Sequence, residues 1–236
     1  MLWLLFLSCI LGYQEEGNLT TLSIEQTYAA HHYNYNKAID SSLRITIFDS
    51  DFKEVGHGSA NYFKIGRHKF IMTAAHVVSD PDFPIYVKTG EYYTRLDIIY
   101  IDSDHDLAIL NPAKKLKNKS PADYRTNNQK NLTGLTVVHA GYPSNLELSV
   151  FNGTVASCSE NNIMIQSFAL PGSSGSIVFD NKGRVVGVLS ALKMGMYYSP
   201  YPQVHPTLVY VSRVNKYSRA VIKEIIVKWK KSMLEH

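Results

Sequence analysis

The sequence is short of cysteine. Only Cys9 and Cys158 occur in 236 residues. Cys9 lies in an apolar N-terminal run, so a chain processed beyond that run keeps one thiol and no internal disulfide. A disulfide-stapled scaffold is excluded. Stability must come from a packed core, and this length supplies one as a single generous domain or as two small barrels. Long apolar runs are also missing. Met1–Leu11 reads MLWLLFLSCIL, too short to span a bilayer as a helix. Residues 1–12 fit the apolar part of a secretory leader, although no Lys or Arg precedes them, and Phe6–Cys9 loosely matches a lipoprotein cleavage box. The expected location is secreted, periplasmic or extracellular, or cytosolic if the leader is not a signal. Charge of one sign is scarce too. A net +4 does not by itself imply a nucleic-acid partner.

What is present is core material, with 45% hydrophobic residues and 16 Tyr, which argues against disorder. Residues 13–42 are polar and hold no period of two or of 3.6, and read as a linker or loosely docked arm. The adjacent His31 and His32 lack the Cys or carboxylate neighbours of a metal site. From Leu43 the texture changes to short β-type runs separated by Gly, Asn, Asp and Pro. Examples are Leu43–Phe48, Lys69–Thr73, Tyr92–Ile101, Leu107–Leu110, Leu135–Ala140, Ile177–Phe179, Val185–Ser190 and Leu208–Val211. Many short strands of this kind mean an all-β sandwich or barrel. A closing helix is expected over 212–234, with Ser212 as its N-cap. Its apolar arc runs from Val214 to Met233, and residues 212–236 hold seven basic and two acidic residues. Contact with a membrane is confined to the leader or to this basic helix. Lys114, Lys115, Lys117 and Lys119 form a second basic cluster that reads as solvated loop. Neither cluster carries the interleaved aromatics of a single-strand nucleic-acid groove, so no nucleic acid is expected. Four Asn-x-Ser/Thr sequons begin at Asn18, Asn118, Asn131 and Asn152, and matter only in a glycosylating compartment.

The stretch Pro171-Gly172-Ser173-Ser174-Gly175-Ser176 sits between apolar runs. Two glycines flanking a serine describe a tight turn, since Gly tolerates positive φ. Such a turn can present the Ser174 hydroxyl and aim the amides of Gly172 and Ser174 at one point, where an oxyanion would form. A serine hydroxyl needs a base to take its proton, and a histidine has the suitable pKa. That histidine needs an acceptor to hold its tautomer, usually a carboxylate. His76 follows the small residues Thr73-Ala74-Ala75, and Asp106 opens the apolar strand Asp106–Leu110. His57, His68 and His105 are rival bases, and Asp102 and Asp104 are rival acids, each in a less suitable context.

Three blocks, Thr73-Ala74-Ala75-His76-Val77-Val78, Asp106-Leu107-Ala108-Ile109-Leu110 and Gly172-Ser173-Ser174-Gly175-Ser176, resemble the signatures of trypsin-like (chymotrypsin-fold) serine peptidases. The resemblance is nearest to the disulfide-free high-temperature-requirement (Deg) branch and its viral and phage relatives. Gly56–Ser59, the Gly141-Tyr142-Pro143 turn and the Asn181–Val188 hairpin also match, so the likeness covers about Leu43 to Trp229. It implies two six-stranded antiparallel β-barrels with a C-terminal amphipathic helix, the first barrel over about 43–120 and the second over about 130–211. It makes His76 the general base, Asp106 its orienting partner and Ser174 the nucleophile, with Gly172 and Ser174 forming the oxyanion hole. Phe168 falls near the pocket floor, Ser190, Ala191 and Leu192 match the strand that pairs with the substrate backbone, and Val209 faces the same space. All of these are uncharged, which disfavours an Arg/Lys-directed pocket. No metal or organic cofactor is implied, and the partner is a protein or peptide substrate. The alternative is a catalytically silent binding module on the same fold, docking a protein or an anionic surface. Ser173 stands where trypsins carry Asp, so activation by a new N-terminal ammonium is not expected.

Overall fold

Strands rich in β-branched and aromatic residues succeed one another along most of the chain, and the pairing closes them into two barrels. The computed structural model describes residues 34–80, 82–144, 146–195 and 203–235, with backbone alone for 191–195 and 203–206. The expected leader over residues 1–12, the His31–His32 pair and the Asn18 sequon lie outside them.

The first barrel is built from β1 (Ser42–Phe48), β2 (Glu54–Ile65), β3 (His68–Thr73), β4 (Ile85–Thr89), β5 (Tyr92–Asp102) and β6 (Leu107–Pro112). Its order is β1-β4-β5-β6-β3-β2, closed by pairing of β1 with β2. A two-residue strand, β7 (Ala122–Asp123), adds to β2 in parallel. The second barrel comprises β8 (Thr136–Gly141), β9 (Ser149–Cys158), β10 (Asn162–Gln166), β11 (Ile177–Asp180), β12 (Val185–Gly195) and β13 (Gln203–Arg213). Its closed order is β10-β13-β12-β11-β8-β9.

The period-two alternation of side chains shows how the barrels share a core. On β8, Val137 packs inside the second barrel while Val138 and Ala140 face the first. On β11, Val178 turns inward while Ile177 and Phe179 cross to the other cluster. Phe179 meets Phe63 of β2 with ring centroids 6.1 Å apart, and Tyr124 lies edge-on to Phe63 at 5.3 Å. Buried polar residues bridge the same seam. The amide of Ile177 donates to Asn61 Oδ1 over 3.0 Å, and Asn61 Nδ2 donates to Ser41 Oγ over 2.7 Å.

Two boundaries differ from the sequence reading. Residues 34–41 are not a loose arm but a helix, α1, ending where β1 begins. Ala38 and Ser41 in it are fully buried. Lys37 Nζ donates to the carbonyls of Asp123 (2.9 Å) and Gly183 (2.5 Å) and stands over the Phe179 ring. Burial lowers its pKa to about 8. The second correction is at the other end. The C-terminal helix, α2, spans Arg219–Ser232, and its N-cap is Ser218, which accepts from the Val221 amide. Ser212, the expected cap, is instead the penultimate residue of β13, paired with Asn162 and Val188. Ile222 and Ile226 bury the inner face of α2 against the first barrel's core. Lys230 and Lys231 occupy its last turn, where cations suit the helix dipole.

Candidate active site

His76 sits in a single 3-10 turn, Ala75–Val77, directly after β3. Val77 beside it packs so tightly on Gly58 that a Cβ there would lie 2.6 Å from its methyl group. Asp106 precedes β6 at the end of the β5–β6 hairpin, with φ of +44°. A non-glycine residue in the left-handed region is uncommon and costs about 1–2 kcal/mol, so the surroundings impose this conformation. The result is a two-point grip. Asp106 Oδ1 accepts from the His76 amide at 2.9 Å, and Oδ2 lies 2.8 Å from His76 Nδ1. Burial alone would raise the Asp106 carboxyl, but hydrogen bonds from His76 and Ser190 outweigh it and hold it below its ordinary range. An ionised Asp106 keeps the His76 proton on Nδ1, which leaves Nε2 as the free lone pair. The ring is half exposed, with 49% of its side-chain surface open to solvent, against 21% for Asp106.

Ser174 comes from the turn joining β10 to β11. Gly172 and Gly175 there have φ of +90° and +88°. At Gly175 a Cβ would collide with the Ser59 carbonyl and the Thr73 hydroxyl, and at Gly172 it would lie 2.5 Å from His57 Nε2. Both positions need glycine. The amides of this turn divide into two sets. Ser173 donates to the Leu170 carbonyl, Gly175 to that of Leu189 and Ser176 to that of Ser173. The amides of Gly172 and Ser174 donate to no group among the described residues. Two unpaired donors thus flank Ser174, the one serine of the turn that is not buried.

Ser190 of β12 joins the two halves. Its hydroxyl donates to Asp106 Oδ2, and its carbonyl accepts from Ser174 Oγ over 3.4 Å. Ser174 and His76 make no hydrogen bond to each other here, since the serine hydroxyl is turned to that carbonyl. Ser190 nevertheless links the block of Ser174 to that of Asp106, which in turn grips His76. Of the other residues expected at the substrate, Phe168 is 38% exposed with its ring on Phe151 at 5.5 Å. Ala191 and Leu192 continue β12 opposite Tyr210 and Val209. Val209 has no exposed surface and belongs to the core of the second barrel. Of the rival histidines, none bonds to Asp106 or to Ser174. His68 opens β3 at the end remote from Thr73, His105 is held by Asp102 and Lys216, and His57 faces Gly172 with its Nε2 buried and unpartnered.

Sequence reasoning passed over the residue that ties the serine turn to the first barrel. Ser59 donates its amide to the Ser174 carbonyl (2.8 Å) and its hydroxyl to the Gly172 carbonyl (2.7 Å), and accepts from the Tyr142 amide (2.9 Å). Thr73 Oγ1 donates in turn to the Ser59 carbonyl at 2.7 Å. The available signal was polarity out of place. Ser59 and Asn61 are fully buried on β2 in an otherwise apolar stretch, and such groups persist only when satisfied. His139 was also missed. It is fully enclosed inside the second barrel, against Phe151, with Nε2 3.0 Å from Ser167 Oγ.

Comparison with known proteins agrees with this layout. The fold is similar to that of a serine endoprotease from Yersinia pestis, with a TM-score of 0.63 over 83% of this chain at 18% identity. The chain spans 66% of that protein's length, so the likeness concerns the fold. A family model for the trypsin-like peptidase domain matches residues 58–188, from the glycine beneath Val77 to the strand that carries Ser190. The chain belongs to the family of trypsin-like peptidases.

Proposed function

We propose that the protein is a serine endopeptidase acting by acyl transfer through Ser174, with no metal or organic cofactor in the mechanism. The observation that carries this reading is the division of amides in the serine turn. A module that only binds has no need to leave the Gly172 and Ser174 donors unpaired beside a hydroxyl, whereas acyl transfer needs such donors where the oxyanion develops.

In the proposed cycle, His76 Nε2 removes the Ser174 proton as Oγ attacks the scissile carbonyl. The carbonyl oxygen becomes an oxyanion held by the amides of Gly172 and Ser174. Asp106 keeps the ring in the productive tautomer and stabilises the imidazolium. The proton passes to the leaving amine, and the acyl group stays on Ser174. Water, deprotonated by His76, then releases it. The initial step requires Ser174 Oγ to leave the Ser190 carbonyl for His76 Nε2. Phe168 and Ser190 give the cleft no charge to attract Arg or Lys, so the reading extends to an uncharged P1 residue in a protein or peptide substrate.

A fluorophosphonate probe tests this directly. It should label the wild-type protein at Ser174, and Ser174→Ala should lose both labelling and peptide cleavage. The bond from Ser174 to the Ser190 carbonyl favours a second reading, a silent binding module. Folded wild-type protein that refuses the probe would establish that reading instead, and a Ser174→Ala variant that still cleaves peptides would overturn the first.

A further inference from the structure

The turn that presents Asp106 is held from outside its own barrel. Asp102, the last residue of β5, pairs with Leu107 across the hairpin and encloses Ser103, Asp104, His105 and Asp106. Its Oδ1 accepts from the His105 amide over 3.1 Å, which caps the turn from within. Its Oδ2 is taken by the chain leaving the second barrel. The Tyr217 hydroxyl donates to it, and Lys216 Nζ lies 3.1 Å away. Lys216 Nζ also stands 2.6 Å from His105 Nδ1.

Tyr217 is itself fixed from several directions. It is 3% exposed. Its ring lies edge-on to Tyr100 of β5 at 6.3 Å, its amide donates to the Val214 carbonyl at 2.9 Å, and its carbonyl accepts from the Tyr124 hydroxyl at 2.8 Å. Burial would raise the Asp102 carboxyl, but the bonds from Tyr217, Lys216 and His105 outweigh it and hold it far below the usual range. Burial and the Asp102 charge push the Tyr217 phenol up, so its proton stays on the oxygen. The clasp is therefore a carboxylate held by a neutral phenol and an ammonium. One end of the turn is this rigid carboxylate, and four residues on is Asp106 in its left-handed conformation.

Resting on the peptidase reading above, we infer that Asp102, clasped by Tyr217 and Lys216, is a positioning residue for the Asp106 carboxylate. The segment that exits the second barrel thereby sets the acid of the first. The ladder between β5 and β6 fixes where the hairpin starts but not the twist of its four-residue loop. The Asx cap and the outside clasp fix that twist, and with it the direction in which Asp106 meets His76. Releasing the clasp lets the turn relax toward ordinary φ, and the two-point grip on the His76 amide and ring loosens.

The test compares Tyr217→Phe, which keeps the ring packing, and Asp102→Asn with wild type. Lys216→Met is a third variant at a residue 42% exposed. Fluorophosphonate titration counts competent sites, so kcat is expressed per site. We expect a fall of about ten- to a hundredfold in kcat per site, the range for a displaced catalytic group, with KM little changed and the pH profile of kcat/KM displaced. A merely structural role would lower the titratable fraction and leave the per-site kcat and pH profile at wild-type values, and that result would overturn the inference. The His76 Nδ1–H resonance, followed by NMR in a Ser174→Ala background, reports the same geometry without any hydrolysis. Its loss or broadening in Tyr217→Phe supports the clasp, and an unchanged resonance overturns it. If wild-type protein takes no probe, the peptidase reading falls by itself and the resonance alone decides on the clasp.

Discussion

Ser190 donates its hydroxyl to Asp106 across the boundary between the barrels, while its carbonyl holds the hydroxyl of Ser174. One residue of β12 thus touches both the proposed acid and the proposed nucleophile. The barrels are locked in register at the site itself, so a slip between them displaces the chemistry before it displaces the core.

Ser190→Ala removes the second donor to Asp106 Oδ2. Hydrogen bonds to charged groups contribute about 1.5–3 kcal/mol, which corresponds to a loss of about ten- to a hundredfold in kcat/KM when the bond orients a reacting group. The Asp106 carboxyl should move up toward its ordinary range, so the variant loses activity at acidic pH sooner than wild type does. Steady-state kinetics on one peptide between pH 4 and pH 8 checks both effects.

Ser59→Ala tests the anchor of the serine turn. The variant leaves the Gly172 carbonyl and the Tyr142 amide without their partner. A buried group left unsatisfied costs about 1–3 kcal/mol. Thermal unfolding should show that loss, and kcat should fall more than KM rises because the Gly172 amide, on the same short turn, goes out of line. A Ser59→Ala protein with wild-type kcat would show that the anchor is purely structural.

The sequence made the blocks around His76, Asp106 and Ser174 legible because each role tolerates few residue types and each sits in a telling context of small or apolar neighbours. The barrels were legible from alternation and turn residues. The failures have physical causes. Helix α1 has only two turns, with Asn34, Asn36 and Asp40 among its residues, and it is held by bonds to Asp123, Asn181 and Gly183, which no local pattern reveals. Ser212 looked like a cap because the apolar spacing of α2 extends backward through Val214 and Tyr217. Those two residues are buried by the turn that leads into the helix, not by the helix. Ser59 and Tyr217 act through partners far along the chain, so even the misplaced polarity of Ser59 does not say which turn it holds.

Gly175→Ala should be the most damaging single-methyl change in the serine turn. Its φ of +88° is unfavourable for any L side chain, at about 1–2 kcal/mol, and the new Cβ would collide with the backbone carbonyl of Ser59. That carbonyl also accepts from Thr73, two residues before Ala75. Relief of the clash must push the serine turn away from the end of β3 that leads to His76. Fluorophosphonate labelling should be abolished even where circular dichroism shows that the barrels are still folded.

His139 makes stability depend on pH below neutrality. The Ser167 hydroxyl donates to the Asn152 carbonyl at 2.9 Å, so its oxygen accepts from His139 Nε2. The proton of the neutral ring is therefore on Nε2, and Nδ1 is buried without a partner. A second proton would have no acceptor, and full burial lowers the His139 pKa from its ordinary 6.5 to about 4. The unfolded chain therefore binds more protons than the folded one between those values. The contribution is fully present above pH 6.5 and is lost as pH falls toward 4. At about 1.4 kcal/mol per pH unit, protonation of this one ring removes ~3 kcal/mol across the window. His139→Leu in a Ser174→Ala background, which prevents self-cleavage, should flatten the fall of Tm between pH 7 and pH 4.5. Parallel Tm curves for the two proteins would mean that the ring binds its proton as readily in the folded protein as in the unfolded chain, and would overturn the prediction.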